Sequence, residues 1–241
     1  MTYCLAILLP AGLVLASDSR SNAGVDQIAK VDKLAVIEAP AERVIFIQSA
    51  GNLATTQAVV SELRQSAGSG VAHADVLAAA SMFDVAAIVG ARLREIMDVD
   101  QKYVQPYGDA SAAFLVSGQI AGETHRAFQI YSAGNFIEAG ERSNYLQIGE
   151  TKYGKPILDR ALNASSSLED AAKLALLSFD ATIRSNLSVG PPIDLMRYKT
   201  GSLTAAGLET FGENSLYWRK LGSAYAKGLA ALIDRLPPPP T

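Results

Sequence analysis

The segment Thr2-Tyr-Cys-Leu-Ala-Ile-Leu-Leu9-Pro-Ala-Gly12-Leu-Val-Leu-Ala-Ser-Asp18 decides the fold. Two apolar runs of strand length, residues 2–9 and 13–18, flank Pro10-Ala-Gly12, a turn sequence. Rich in Leu, Val and Ile, they predict a β-hairpin. Their apolar character is continuous rather than alternating, which implies strands covered on both faces. As a secretory signal the same stretch would need a positively charged start, yet the first basic residue is Arg20. Pro10 and Gly12 would also interrupt its apolar centre. The hairpin is the stronger reading. No run reaches the ~18 apolar residues of a membrane span, so no membrane partner is expected.

Working outward, two further strands are expected over residues 33–39 and 43–49. The period then changes to that of a helix over residues 52–67, with Leu53, Val59, Val60 and Leu63 on one face and Gly68-Ser-Gly70 ending it. Asp75 is the candidate cap of a long second helix to about residue 100, followed by a polar loop over residues 101–109. Strands are expected again over residues 112–120, 126–132 and 145–148. Pro156 suits the first turn of a third helix reaching about residue 162. Ser166-Ser-Leu-Glu169 fits a capping box for a fourth helix to about residue 187. A strand over residues 193–199 and a closing helix over residues 214–236 complete the series. Strands and helices come in groups, not in single alternation, which suggests an α+β fold rather than a doubly wound parallel sheet. No compositional boundary or internal repeat is visible. One domain is expected over residues 1–236, with a proline-rich tail at residues 237–241.

Composition narrows the function. The 241 residues are 49% hydrophobic and 19% charged, enough apolar content to exclude a disordered chain. A net charge of −3 argues against a nucleic-acid partner bound by phosphate neutralisation. A single cysteine, Cys4, admits no internal disulfide and favours a reducing, cytoplasmic setting. Only two histidines, His73 and His125, are present. Most hydrolytic triads and zinc sites need histidine, so neither a metal nor another cofactor is expected.

Thr2 offers a different base. Methionine removal ahead of a small residue would leave a threonine whose hydroxyl and α-amino group belong to one residue. With a pKa near ~7.7–8.0, that amine can accept the hydroxyl proton at neutral pH. A neighbouring ammonium would disfavour protonation of the amine and stabilise oxyanion charge, and a carboxylate would hold the ammonium. Asp18, at the end of the second hairpin strand, and Lys33, opening the third strand, are the candidates. On this reading Lys33→Ala abolishes activity and leaves the fold near intact.

Thr2-Tyr-Cys-Leu-Ala-Ile, the run Gly12-Leu-Val-Leu-Ala-Ser-Asp-Ser-Arg-Ser-Asn-Ala-Gly24, Lys30-Val-Asp-Lys33-Leu and Ser49-Ala-Gly51-Asn together resemble the start of a proteasome β-type subunit. Within that superfamily the chain is most similar to the bacterial Anbu (ancestral β-subunit) family. The specific motifs lie in the first fifty residues; the order of elements extends the likeness over most of the chain. The resemblance implies an N-terminal-nucleophile hydrolase with a four-layer αββα sandwich. It implies Thr2 as nucleophile, Asp18 and Lys33 as its supporting pair, the Gly51 amide as oxyanion donor and Ser188 as the serine closing the network. Ser21, Val31 and Ser49, beside those motifs, are candidates to line a substrate pocket. The family pattern has aspartate where this chain has Ser185, and a serine within Gly-Ser-Gly where it has Gly149-Glu150-Thr151. These departures bear on how the amine is polarised. Also implied are assembly with copies of itself, as a ring or an open helix, and a peptide or unfolded-protein substrate. The sequence does not decide on a partner ATPase.

Two other classes of function fit the same sequence. One is an assembly protein of this fold without turnover, motivated by Glu150 and Ser185; the other is an acylase acting on a small amide. The remaining motifs are structural. Gly149-Glu-Thr-Lys-Tyr-Gly-Lys155-Pro156 nearly fits a phosphate-binding loop, but Pro156 stands where a hydroxyl is needed. A helix-starting turn is the better reading. Asp98-Val-Asp100 is too sparse for a calcium loop. Cys4 reads as a buried small hydrophobe, and Phe211, Tyr217, Trp218 and Tyr225 as core or subunit contact.

Overall fold

The computed structural model describes residues 1–22, 28–140 and 142–240. Strands β1 (Tyr3–Leu9) and β2 (Gly12–Asp18) form the expected hairpin, pairing antiparallel from Cys4 with Ser17 to Leu9 with Gly12. Gly12 is required there: at φ +145° a Cβ would fall 1.9 Å from the Tyr198 carbonyl oxygen. The hairpin is central in a five-stranded sheet of order β10-β1-β2-β11-β12. Its other strands are β10 (Tyr145–Gly149), β11 (Ile193–Lys199) and β12 (Leu208–Phe211).

A second five-stranded sheet runs β5-β6-β7-β8-β9 in order, comprising β5 (Leu34–Ala39), β6 (Arg43–Gly51), β7 (Ala112–Ile120), β8 (Arg126–Ile130) and β9 (Phe136–Glu138). A two-stranded ribbon, β3 (Arg20–Asn22) with β4 (Ile28–Lys30), leads from the hairpin towards β5. The helices are α1 (Leu53–Ser66), α2 (Met82–Val104), α3 (Lys155–Ala161), α4 (Leu168–Ser185) and α5 (Leu216–Ile233). Among the described residues the chain is thus mixed α/β, with five helices and three antiparallel sheets.

Strand periodicity explains the continuous apolar hairpin. The odd residues Tyr3, Leu5, Ile7 and Leu9 pack with Leu158 of α3 and Ala171, Ala175 and Phe179 of α4. The even residues Cys4 and Ala6 face the opposite way, with Val44 and Phe46 of β6, Leu115 of β7 and Met196 and Tyr198 of β11. Both faces are therefore buried, as two-sided apolar strands require. The outer face of the β6–β8 sheet is covered by α1 and α2 through Val59, Leu63, Val85, Val89 and Leu93.

The second helix departs from expectation. Asp75 does not cap it; its carboxylate accepts the backbone N–H of Gly70 and Leu77 and closes the preceding loop. The cap is Ser81, in extended conformation, whose hydroxyl accepts the Asp84 N–H while itself donating to the Asp84 carboxylate. The helix also runs on to Val104, through most of the expected polar loop. In α4 the cap is Ser167 rather than Ser166, accepting from the Asp170 N–H, and the helix stops at Ser185. The short strands β3, β4, β9 and β12, three or four residues each, were not expected. No described helix is long and apolar enough to cross a membrane.

Candidate active site

The hairpin's open end brings Asp18 beside the start of β1. Asp18 is fully buried, and its Oδ1 accepts the Tyr3 N–H at 3.0 Å and the Lys33 ammonium at 2.7 Å. Its Oδ2 accepts the backbone N–H of Arg20 at 3.2 Å and of Gly190 at 3.4 Å. Lys33 is also buried, and a second ammonium N–H bonds the Arg20 carbonyl at 2.5 Å. An ammonium has three donors, so one is left for a group in the cleft that Lys33 lines. Burial pushes the Asp18 carboxyl above the usual carboxylate range, against the opposing pull of Lys33 and the backbone donors. Burial likewise raises the Cys4 thiol well above its ordinary value, so Cys4 is an inert thiol.

A cleft of about 510 Å³ opens here. Thr2, Ser21, Val31, Lys33, Ser49 and Gly51 all line it, so six candidates named from the sequence meet at one place, with Asp18 bonded behind Lys33. Gly51 ends β6 at φ +115°, where a Cβ would fall 2.4 Å from the Ser111 carbonyl oxygen. Its lack of a side chain is a steric requirement and leaves the backbone open to the cleft. One stripe of α1, through Leu53, Thr56, Gln57, Val60 and Arg64, forms a wall that sequence reading did not name.

The other three candidates are disposed differently. Glu150 is buried, and its own N–H donates to the Thr2 carbonyl at 2.7 Å. Its carboxylate accepts the Asn186 amide at 2.9 Å; the Asn186 oxygen in turn accepts the Ser188 N–H at 2.9 Å. Ser188 is thereby tied to Thr2 through Asn186 and Glu150, but does not itself line the cleft. Ser185, the exposed last residue of α4, is not brought to the site. Asn186 and the Gly190 N–H were missed. Nothing local marks a donor 172 residues from its acceptor. Among the described residues, no three His, Cys, Asp or Glu side chains group as a metal site. The near-match to a phosphate loop is a helix start: Lys155 opens α3 and pairs with Asp159 at 2.9 Å.

No protein-family model and no curated protein matches the chain. Solved structures do. Anbu (ancestral β-subunit) from Yersinia bercovieri is 41% identical over 99% of both chains, with a TM-score of 0.92. An Anbu (Gly-1) mutant from Hyphomicrobium sp. strain MC1 is 42% identical over 100% of both, with a TM-score of 0.93. The chain belongs to the Anbu family. A third structure, described as the helical assembly of the Anbu complex from Pseudomonas aeruginosa, is 44% identical over 99% of this chain and 98% of that one, at a TM-score of 0.93. The family likeness thus spans the whole chain, well beyond the first fifty residues that carry the specific motifs. In this Anbu chain the ion pair, the glycine turn and the threonine converge, while Ser185 stands apart.

Proposed function

We propose that this Anbu chain is a threonine peptidase whose nucleophile is Thr2 after removal of Met1. The observation that carries the reading is the convergence of Thr2, Lys33 and Gly51 on one cleft, with Lys33 bonded to a fully buried carboxylate. The freed α-amino group takes the proton of the Thr2 hydroxyl as its oxygen attacks a peptide carbonyl. The Gly51 N–H stabilises the resulting oxyanion, and the Lys33 ammonium lends positive charge beside the attacking oxygen. The protonated amine returns its proton to the leaving nitrogen as the C–N bond breaks, leaving an ester on Thr2. Water, deprotonated by the same amine, then hydrolyses the ester. Asp18 holds the ammonium, and Ser188 supports the amine's surroundings through the Asn186–Glu150 link.

The same reading assigns a four-layer αββα arrangement, a single domain over residues 1–236 with a tail at 237–241, and a cytoplasmic location. It also assigns self-assembly into a ring or open helix. The named helical assembly of a relative 44% identical supports the last point. A cleft running along several turns of α1 favours a peptide or unfolded chain over a small amide. One consideration favours a scaffold without turnover: the resemblance to proteasome β-type subunits puts an aspartate at position 185, and here that position is an exposed serine at the end of α4. Intact mass and labelling separate the two. The untagged protein should have lost Met1, and a peptide epoxyketone should form one adduct on Thr2 that Thr2→Ala abolishes. A chain that retains Met1, or a free Thr2 that neither labels nor cleaves peptides, would leave only the scaffold.

A further inference from the structure

The proposed nucleophile and oxyanion donor stand on different sheets. Thr2 precedes β1, Gly51 ends β6, and no ladder joins these strands. Most of what lies between the sheets is apolar, such as Ala6, Leu15, Phe46 and Leu115. Apolar packing is non-directional and by itself tolerates small slides. Among the described residues directional ties are few: the Tyr198 hydroxyl of β11 donates to the Gln119 amide oxygen of β7 beside the hairpin turn, Asp18 bonds Lys33 at the site, and Gln48 is a third. It is 1% exposed on β6, and its amide donates across the gap to the Ala16 carbonyl at 2.7 Å and the Leu5 carbonyl at 3.3 Å.

Leu5 and Ala16 are direct partners in the hairpin ladder, so one side chain grips both hairpin strands from the opposite sheet. Leu5 lies three residues after Thr2 and Gln48 three residues before Gly51, each about 10 Å along its strand. Beside this grip the Cys4 thiol donates to the Ser49 carbonyl at 3.5 Å. The Gln48 oxygen is buried without a hydrogen-bond partner. A buried amide half-satisfied in this way adds little net stability over an apolar side chain of the same shape. Its directional bonds fix a register.

We infer that Gln48 is a positioning residue that locks the hairpin against β6 and thereby sets the spacing of Thr2 and Gly51. The inference rests on the proposed role of Thr2, but one arm of its test does not. Gln48→Met keeps volume and removes both donors; Gln48→Asn keeps the amide but is a methylene too short to span the gap. Cys4, the single cysteine, is fully buried at this seam, so its reaction with Ellman's reagent in the native protein reports opening there. Val89→Ala, behind the other face of the second sheet, serves as a control for general destabilisation.

For Gln48→Met the urea midpoint should stay close to that of the parent while Cys4 reacts at least about tenfold faster. Turnover of a fluorogenic peptide should lose about tenfold in kcat at unchanged KM, as expected for misplaced reacting groups. Gln48→Asn should shift both readouts in the same direction. Unchanged Cys4 reactivity in both variants would overturn the inference, as would an equal rise in Val89→Ala. Faster Cys4 labelling with unaltered kcat would also overturn it, by making Gln48 a merely structural tie. If the parent shows no Thr2 chemistry at all, the proposed function fails, and Cys4 reactivity still decides whether Gln48 holds the seam.

Discussion

Replacing Lys33 tests the site's electrostatics most directly. Lys33→Met keeps the apolar stem but leaves Asp18, fully buried, facing only the N–H groups of Tyr3, Arg20 and Gly190. If the carboxyl stays ionised, an unpaired buried charge costs about 3–5 kcal/mol. If it takes a proton instead, the cost at pH 7 is about 1.4 kcal/mol for each of the roughly three pH units above an unfolded pKa of ~3.9. Protonation therefore caps the loss at about 4 kcal/mol at pH 7, and at about 1.5 kcal/mol at pH 5.

The sign follows from burial, which already raises the Asp18 carboxyl with Lys33 opposing it. Without Lys33 the folded pKa rises further, so the folded state favours the protonated form. Stability is then retained below about pH 4 and lost as pH climbs towards the raised folded value. Urea unfolding of parent and variant at pH 5 and pH 7 should show a penalty growing by about 2.5 kcal/mol between them. Adding Asp18→Asn should recover most of the loss at pH 7 without restoring Thr2 reactivity. An equal penalty at both pH values, or none, would refute the assignment of a buried, mutually dependent pair. The expectation that removing Lys33 leaves the fold near intact is revised accordingly: it applies at low pH, where Asp18 is readily protonated.

Three further outcomes follow from the same geometry. Gly149→Ala, at φ +82°, would put a Cβ 1.9 Å from the Thr2 carbonyl oxygen; it should cost about 1–3 kcal/mol and suppress epoxyketone labelling by displacing Thr2. Glu150→Gln should change stability by less than about 1 kcal/mol and leave the pH profile of labelling unchanged, because Glu150 reaches Thr2 through its N–H while its carboxylate bonds Asn186. A shifted profile would show the carboxylate acting on the amine. For Asp75, burial acts to raise the carboxyl, but the N–H groups of Gly70, Gly68 and Leu77 prevail and hold it below the usual range. Asp75→Asn should therefore be destabilised by about 1–2 kcal/mol at pH 7, with parent and variant converging as pH falls through the parent's lowered folded pKa in thermal melts.

What the sequence disclosed follows the range of the interactions involved. The hairpin was legible because both its faces are buried and its turn carries Pro10 and Gly12, so pattern and turn chemistry agree locally. β9 and β12 were not, being too short to show a period and half or more exposed. Asp75 misled because an acidic residue before an apolar helix satisfies the capping pattern, and its use in closing a loop depends on where Gly70 folds back. Ser81-Met-Phe-Asp84 carried the true signal, a hydroxyl with an acid three residues on. At the site, Asp18 and Lys33 were readable as charges ending buried strands, a costly placement unless they pair. The Gly190 N–H that helps hold Asp18 comes from the far end of the chain, and only the topology β1-β2-β11 delivers it. Gln48 makes the point most sharply. Inside Val44-Ile-Phe-Ile-Gln48 it looks like a polar residue closing an apolar run, because its two acceptors are main-chain carbonyls, which every residue carries and no sequence pattern can mark.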